Sequence, residues 1–329
     1  MSRFETERRF AEEIVSEACS IARRVQDEIT VTGDAVTKTD RSPVTVADLA
    51  IQTVVSHRLA ERFSDDPLLA EEDLTALDGS AETADKVLSL AAGAIPGMDA
   101  PRLRVALGRG GHTGGRDRHW VLDPVDGTKG FLRGDHYAVA LALVHGGHVV
   151  VGVLGCPNLA PESLSRVEGA GTIYSAELNQ GATMMGTDGK GLQRITVDGL
   201  DEPSSSRFCE SVEAAHAAHS HQARIASRLG ITLPPVRIDS QCKYAVVARG
   251  GASIYLRLPR DSSYREKVWD HAAGALVIEE AGGRVSDLDD RRLDFSEGRF
   301  LARSHGIVAT NGVLHARVLE ACRSVLGLD

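Results

Sequence analysis

The sequence predicts an α/β protein in two units: an N-terminal α+β unit with a largely antiparallel sheet, then a smaller C-terminal α/β unit. Three observations carry that expectation. Two long helical patterns open the chain, strand and turn signals dominate residues 119–197, and beyond residue 206 short strands alternate with helices. The polar cluster DGLDEPSSS at 198–206 separates the last two regions, which puts the units at 1–203 and 204–329. A chain of 329 residues is long enough for two cores.

Taken in order, residues 3–29 read as one amphipathic helix, with Ala11, Ile14, Val15, Ala18, Ala22, Val25 and Ile29 at three- and four-residue steps. Ser2 and Glu5 suggest a capping box at its start. TGDAVTKTDRSP at 32–43 reads as a mobile loop. A second helix is expected from Thr45 to Phe63, with Asp48 in its first turn. LLAEED at 68–73 reads as a strand entering an acidic loop, and 82–94 as a helix. GRGGHTGGR at 108–116 lacks the Gly-Lys-Ser/Thr ending of a P-loop and reads as a hairpin or surface loop. HWVLD is a strand ending at Asp123, and YAVALALV and HVVVGVLG flank a Gly-Gly turn as a hairpin. In the second unit RFCE, PVRID, SIYLRL, GRVSD and GIVAT are strands. Helices are expected at 217–229, 242–250, 270–281 and 313–326.

Composition narrows the functional class. With 42% hydrophobic and 25% charged residues this is an ordinary globular chain, and 4% aromatics leaves the core to aliphatic side chains. A net charge of −9 argues against nucleic-acid polymers as partners. It does not argue against a small phosphate ester, because bound cations reverse the local sign. The five cysteines are scattered and never spaced as CxxC, which suits free thiols in a reducing compartment. No apolar run reaches membrane-spanning length, and the charged N-terminus is unlike a secretory signal. A cytoplasmic monomer with no membrane partner is the expectation.

The most informative string is LDPVDGT at 122–128. Asp123 and Asp126 share a tight turn and repel each other unless a cation lies between them. Mg²⁺ favours a few carboxylates together with water and phosphate oxygens. The Val125 carbonyl is expected to face the same turn, with the Gly127 and Thr128 amides offered to a phosphate. Glu71 and Glu72 in AEED, Asp270 in KVWDHAAG and Asp48 in SPVTVAD are the other acids of interest. Taken alone, each has an ordinary explanation: a solvated charge pair, a helix cap, or a charge complementing a helix dipole.

Together these strings resemble a known superfamily. DPVDGT matches the D-P-x-D-G-T motif of lithium-sensitive, magnesium-dependent phosphatases, which include inositol monophosphatases and bisphosphate nucleotidases. SPVTVAD, AEED and WDHAAG match in the expected order, over nearly the whole chain. SVEAAHAAHSHQ at 211–222, DSQCKYAVVARG at 239–250, YLRLP at 255–259 and SYREKVWDHAAG at 263–274 resemble the 3′(2′),5′-bisphosphate nucleotidase branch. The resemblance implies the layered α-β-α-β-α sandwich of the inositol-monophosphatase-like sugar phosphatase fold, with the active site between the two units. It implies hydrolysis of adenosine 3′(2′),5′-bisphosphate to AMP and phosphate, with the phosphosulfate-bearing nucleotide as a further candidate substrate. It implies two to three Mg²⁺ ions. Glu71, Asp123 and the Val125 carbonyl would hold one, and Asp123, Asp126 and Asp270 a second. Thr128 and Asp48 would orient and deprotonate the attacking water. Gly127, Ser240, Lys243, Arg257 and Asp270 would contact the nucleotide and its phosphates, with His216, or in its place His219, as a neighbour. Lys38 would belong to a flap over the metals, and Tyr244 and Trp269 would pack. Two other readings remain open: an inositol mono- or polyphosphate 1-phosphatase, and a non-catalytic sensor of the same nucleotide. Oxidation of Cys242, between Ser240 and Lys243, would disturb binding.

Overall fold

The apolar stripe of the first residues folds into α1 (Glu5–Thr32), followed by α2 (Ser42–Arg62). This computed structural model describes residues 2–32, 42–163, 171–212, 216–259 and 264–328, and of 30–32, 42 and 216–219 the backbone only. The predicted flap with Lys38 lies outside the described residues. After α2 come β1 (Leu68–Ala70), α3 (Leu74–Asp78), α4 (Ala81–Ala94) and α5 (Ala100–Gly108). β2 (His119–Asp126) leads through α6 (Thr128–Leu132) to the antiparallel run β3 (Ala138–His145), β4 (His148–Cys156), β5 (Thr172–Glu177), β6 (Gly181–Gly186) and β7 (Gln193–Ile195). The second half contains β8 (Phe208–Glu210), α7 (His216–Leu229), β9 (Val236–Arg237), α8 (Cys242–Ala248) and β10 (Ile254–Arg257). It closes with α9 (Ala272–Glu280), β11 (Arg284–Ser286), β12 (Ile307–Thr310) and α10 (His315–Leu326).

The strands form two sheets. The first runs β1-β2-β3-β4-β5-β6-β7, parallel only between β1 and β2; the second runs β11-β12-β10-β8-β9. α1 and α2 cover one face of the first sheet, α8 and α9 fill the space between the sheets, and α10, with α7 against it, covers the far face of the second. The architecture is therefore the expected α-β-α-β-α sandwich. Helices on both faces explain why AVALALV reads as an unbroken apolar run: seven of the eight β3 residues are buried. At the β3–β4 turn Gly146 and Gly147 have φ of 66° and 81°, the left-handed pair that a tight hairpin requires.

Several local expectations fail for physical reasons. Ser2 does not cap α1; its Oγ donates to Glu177 Oε2 at 2.6 Å, and the Phe4 amide donates to Glu177 Oε1 at 2.8 Å. A carboxylate from β5 thus holds the chain's start, and the capping box is absent. α2 begins at Ser42, so Asp48 lies in its second turn and gains little from the helix dipole. β2 continues past Asp123 to Asp126, where a turn was expected. α3 and α5 had no counterpart in the sequence reading. α3 is too short to show periodicity, whereas α5 carried the overlooked start signal of Asp99 as N-cap with Pro101 behind it. The glycine-rich stretch is a loop lying along β1, with the Ala70 amide donating to Gly110 O and the His112 amide to Leu68 O.

Gly152 marks a close approach of β4 to α9: a Cβ there would lie 2.8 Å from the Ala273 carbonyl oxygen. Gly152→Ala is expected to lower the unfolding free energy by about 1–3 kcal/mol, read from urea denaturation.

Candidate active site

The two aspartates of β2 owe their placement to an irregularity in its pairing. Asp123 faces Ala140 and Asp126 faces Ala138, so β2 uses three residues where β3 uses two. In a regular strand residues three apart point to opposite faces. The extra residue brings both carboxylates to the same side. Pro124, which has no amide hydrogen to give a ladder, sits within this bulge. Gly127 follows with φ of 97°, and a Cβ on it would lie 2.7 Å from Ser240 Cβ. Only glycine lets the β2–α6 corner lie this close to the loop before α8.

The remaining acids come from three other elements. Ala70 pairs with Leu122, which sets Glu71 beside Asp123. Gln52, buried on α2, holds the Glu72 backbone at both ends, its Nε2 donating to Glu72 O at 2.8 Å and its Oε1 accepting from the Glu72 amide at 3.1 Å. Asp48 is one helical turn before Gln52 and so faces the same acidic loop. Asp270 sits in the turn before α9 and accepts from Arg257 Nη2 at 3.1 Å.

Crowding perturbs these groups strongly. Asp123 is pushed well above the usual carboxylate range by burial, then by Glu71, Asp126, Asp270 and Asp48. Asp48 is raised likewise, by burial, Glu72 and Glu71, against a backbone hydrogen bond with Val125. Glu71 rises to about 7 through desolvation in the cleft and the charges of Asp270, Glu72 and Asp126. Asp126 is raised by burial and Asp270, and relieved by Lys243, Arg257 and the Gln241 amide, which donates to its Oδ2 at 2.5 Å. One oxygen of Asp48 and one of Asp123 are buried without a hydrogen-bond partner. Buried, unpaired hard oxygen donors of this kind fit divalent cations such as Mg²⁺.

Beside the acids lies a cleft of about 280 Å³, whose walls include Gly127, Thr128, Ser240, Lys243, Arg257 and Asp270. Lys243 is buried, with Nζ 3.5 Å from Ile238 O and 5.4 Å from the centre of the Tyr255 ring. Burial lowers its pKa, and Asp126 pulls it back up. Arg257 is aimed by Glu266, whose Oε2 takes its Nε at 2.8 Å. His271 contacts the same oxygen at 3.2 Å and is fixed from behind by Tyr244 Oη at 2.7 Å. Ser240 sits at φ of 67°, and its Oγ donates to Asp239 O at 2.5 Å and accepts from the Cys242 amide at 3.2 Å.

A model of the inositol monophosphatase family matches residues 4–326. The chain belongs to the inositol monophosphatase family. Among its relatives, a 3′(2′),5′-bisphosphate nucleotidase of Oryza sativa is 42% identical over 335 residues, spanning 96% of this chain and 93% of that protein. One from Schizosaccharomyces pombe is 38% identical, spanning 99% and 97%. Of solved structures, Mycobacterium tuberculosis SuhB superposes with a TM-score of 0.63 at 24% identity, covering 98% of both chains. Inositol monophosphatase from Anabaena gives 0.63 at 20%, covering 98% of this chain and 97% of that one. These last two speak for the fold, and the inositol monophosphatase family is one of metal-dependent enzymes.

Within this family member the five acids expected from the sequence, Asp48, Glu71, Asp123, Asp126 and Asp270, come together, and Gly127, Thr128, Ser240, Lys243 and Arg257 adjoin them. His216 opens α7, but its side chain and that of His219 lie outside the described ones. Tyr244 and Trp269 are packed inside, as expected, and the five cysteines are buried free thiols. No helix among the described residues is long and apolar enough to cross a membrane. Gln52, Gln241 and Glu266 escaped the sequence reading. Gln241 acts through its backbone and left no trace, whereas Glu266 was open to view as an acid four residues before Asp270.

The raised pKa of Glu71 means that the folded chain holds this proton more tightly than the unfolded one. In EDTA, stability should therefore fall as pH rises from about 4.5, the ordinary value, to about 7. Glu71→Gln should melt higher than the parent above pH 7, with the difference vanishing below about pH 4.5, in thermal scans without metal.

Proposed function

We propose that the chain hydrolyses the 3′(2′)-phosphate of adenosine 3′(2′),5′-bisphosphate to AMP and phosphate, using two to three Mg²⁺ ions. The phosphosulfate-bearing nucleotide is a further substrate. The observation that carries this reading is the double character of the cleft. One wall is a cluster of carboxylates suited to divalent ions, and the adjoining wall carries Lys243 and Arg257. A monophosphate needs only the first wall; a bisphosphate uses both. Names of relatives at 37–42% identity agree with it.

Glu71, Asp123 and the Val125 carbonyl would hold one ion, and Asp123, Asp126 and Asp270 a second. When bound, the ions supply Lewis-acid charge at the reacting phosphoryl group. Thr128 accepts a hydrogen bond from the attacking water and passes its own to Asp48. Burial and the neighbouring glutamates lift the Asp48 carboxyl, the direction a general base requires. The Gly127 and Thr128 amides face the phosphate being cleaved. Ser240, Lys243 and Arg257 hold the second phosphate and align the ester, and His216 neighbours the nucleoside. Units 1–203 and 204–329 supply the metal wall and the nucleotide wall respectively, with Asp270 crossing between them.

Phosphate release from adenosine 3′,5′-bisphosphate and from inositol 1-phosphate, measured side by side with Mg²⁺ and with added Li⁺, tests the proposal. A lithium-suppressed preference for the nucleotide is expected; preference for the inositol ester would keep the metal wall and discard the nucleotide wall. Asp123→Asn should cut kcat more than about a hundredfold with unchanged circular dichroism. Lys243→Ala should raise KM for the bisphosphate about tenfold or more, and far less for a simple phosphomonoester.

A further inference from the structure

Two acids of the cleft, Glu71 and Asp270, stand on separate carriers. Glu71 follows β1 of the first sheet, and Asp270 follows Trp269 in the turn before α9. Like charges on both carriers push them apart, so something must hold the two in register before any cation arrives. The segment 298–301 runs between them. Its backbone is tied to the Asp270 side: the Val268 amide donates to Arg299 O at 3.1 Å, the Leu301 amide to Glu266 O at 2.9 Å, and Lys267 and Phe300 form an antiparallel bridge. Its one crossing side chain is Arg299. The guanidinium lies 4.7 Å from the centre of the Trp269 ring and donates from Nη2 to Ala70 O at 3.0 Å. Ala70 and Trp269 are the residues immediately before Glu71 and Asp270.

The glycine-rich loop at 108–116 completes the brace. It takes the Ala70 amide on Gly110 O, so that the outer edge of β1 is held through both backbone groups of Ala70, one by the loop and one by Arg299. At its tip Gly114, at φ of 80°, lies so close to Gly298 that a Cβ would stand 2.9 Å from the Gly298 backbone. The loop and the 298–301 segment are thus seated on one another, at the residue next to Arg299.

Resting on the reading of the acidic cluster as the metal site, we infer that Arg299 is a positioning residue that ties the Glu71 loop to the Asp270 turn and presets the spacing of the metal ligands. Arg299 is not among the residues that line the cleft. It acts by keeping the two carriers close in the metal-free chain, so that cations enter a preformed site and need not draw the two halves together. A residue that merely stabilised the surface segment would lower the melting temperature equally with and without metal, and would leave metal affinity untouched.

Direct Mn²⁺ binding, followed by the paramagnetic resonance of the free ion without substrate, tests this on Arg299→Ala, Arg299→Lys and Asp123→Asn. Arg299→Ala should bind Mn²⁺ about tenfold more weakly, and kcat at saturating Mg²⁺ should stay within about twofold of the parent. Arg299→Lys, which keeps a cation over Trp269 within reach of Ala70 O, should recover most of the affinity. Parental affinity in Arg299→Ala beside a large loss in Asp123→Asn would overturn the inference alone. Unchanged affinity in both would overturn the metal site and the inference with it. Should Arg299→Ala not fold, Arg299→Gln, which removes the charge and keeps the stem on the indole, carries the same comparison.

Discussion

The structure is organised around a repulsion. Asp48, Glu71, Asp123, Asp126 and Asp270 come from four different elements into one cleft, and burial denies Asp48 and Asp123 the water that would screen their charges. Such a cluster is unfavourable in the folded chain on its own account. It persists because other contacts fix each acid from behind: the β2 bulge for Asp123 and Asp126, Gln52 for the acidic loop, and Arg257 for Asp270. On the proposed metal reading, the energy stored in this crowding is returned when divalent charge enters, at some cost in stability to the empty chain.

Much of this was legible in the sequence, and what was not has identifiable causes. DPVDGT announced the acids because their spacing, proline and glycine are a chemical unit written in consecutive residues. The hairpin at Gly146–Gly147 and the alternation beyond residue 206 follow from turn chemistry and periodicity alone. The bulge was hidden because register is a property of two strands: Asp123 and Asp126 look like a turn until β3 is laid beside them. Gln52 and the Gln241 amide were hidden because each bond pairs a backbone group with a side chain across 20 and 115 positions of sequence. The false capping box at Ser2 shows the converse error, a good local pattern overruled by a distant carboxylate on β5.

Lys243 shows why composition misleads at functional positions. A lysine between Cys242 and Tyr244 would ordinarily be read as surface charge, yet it is buried against Tyr255 and lies within electrostatic reach of Asp126. Burial disfavours its charged form and Asp126 restores it. The two walls of the cleft are therefore one electrostatic system, with each partly neutralising the other across the interface between the acids and the cationic side chains.

That coupling has a direction. While the acids are free, Asp126 and Asp270 help satisfy Lys243 and Arg257. On the proposed metal reading, divalent ions on those carboxylates withdraw that support from Lys243 and from Arg257, which keeps its ion pair with Glu266. An anion is then the group that completes the wall, so metal and a phosphorylated ligand favour each other's binding, and by thermodynamic reciprocity each does so by the same factor. On the proposed reading the two ligands are thus coupled, whichever arrives first. The coupling follows from where Lys243 and Arg257 stand relative to Asp126 and Asp270, with no conformational switch required.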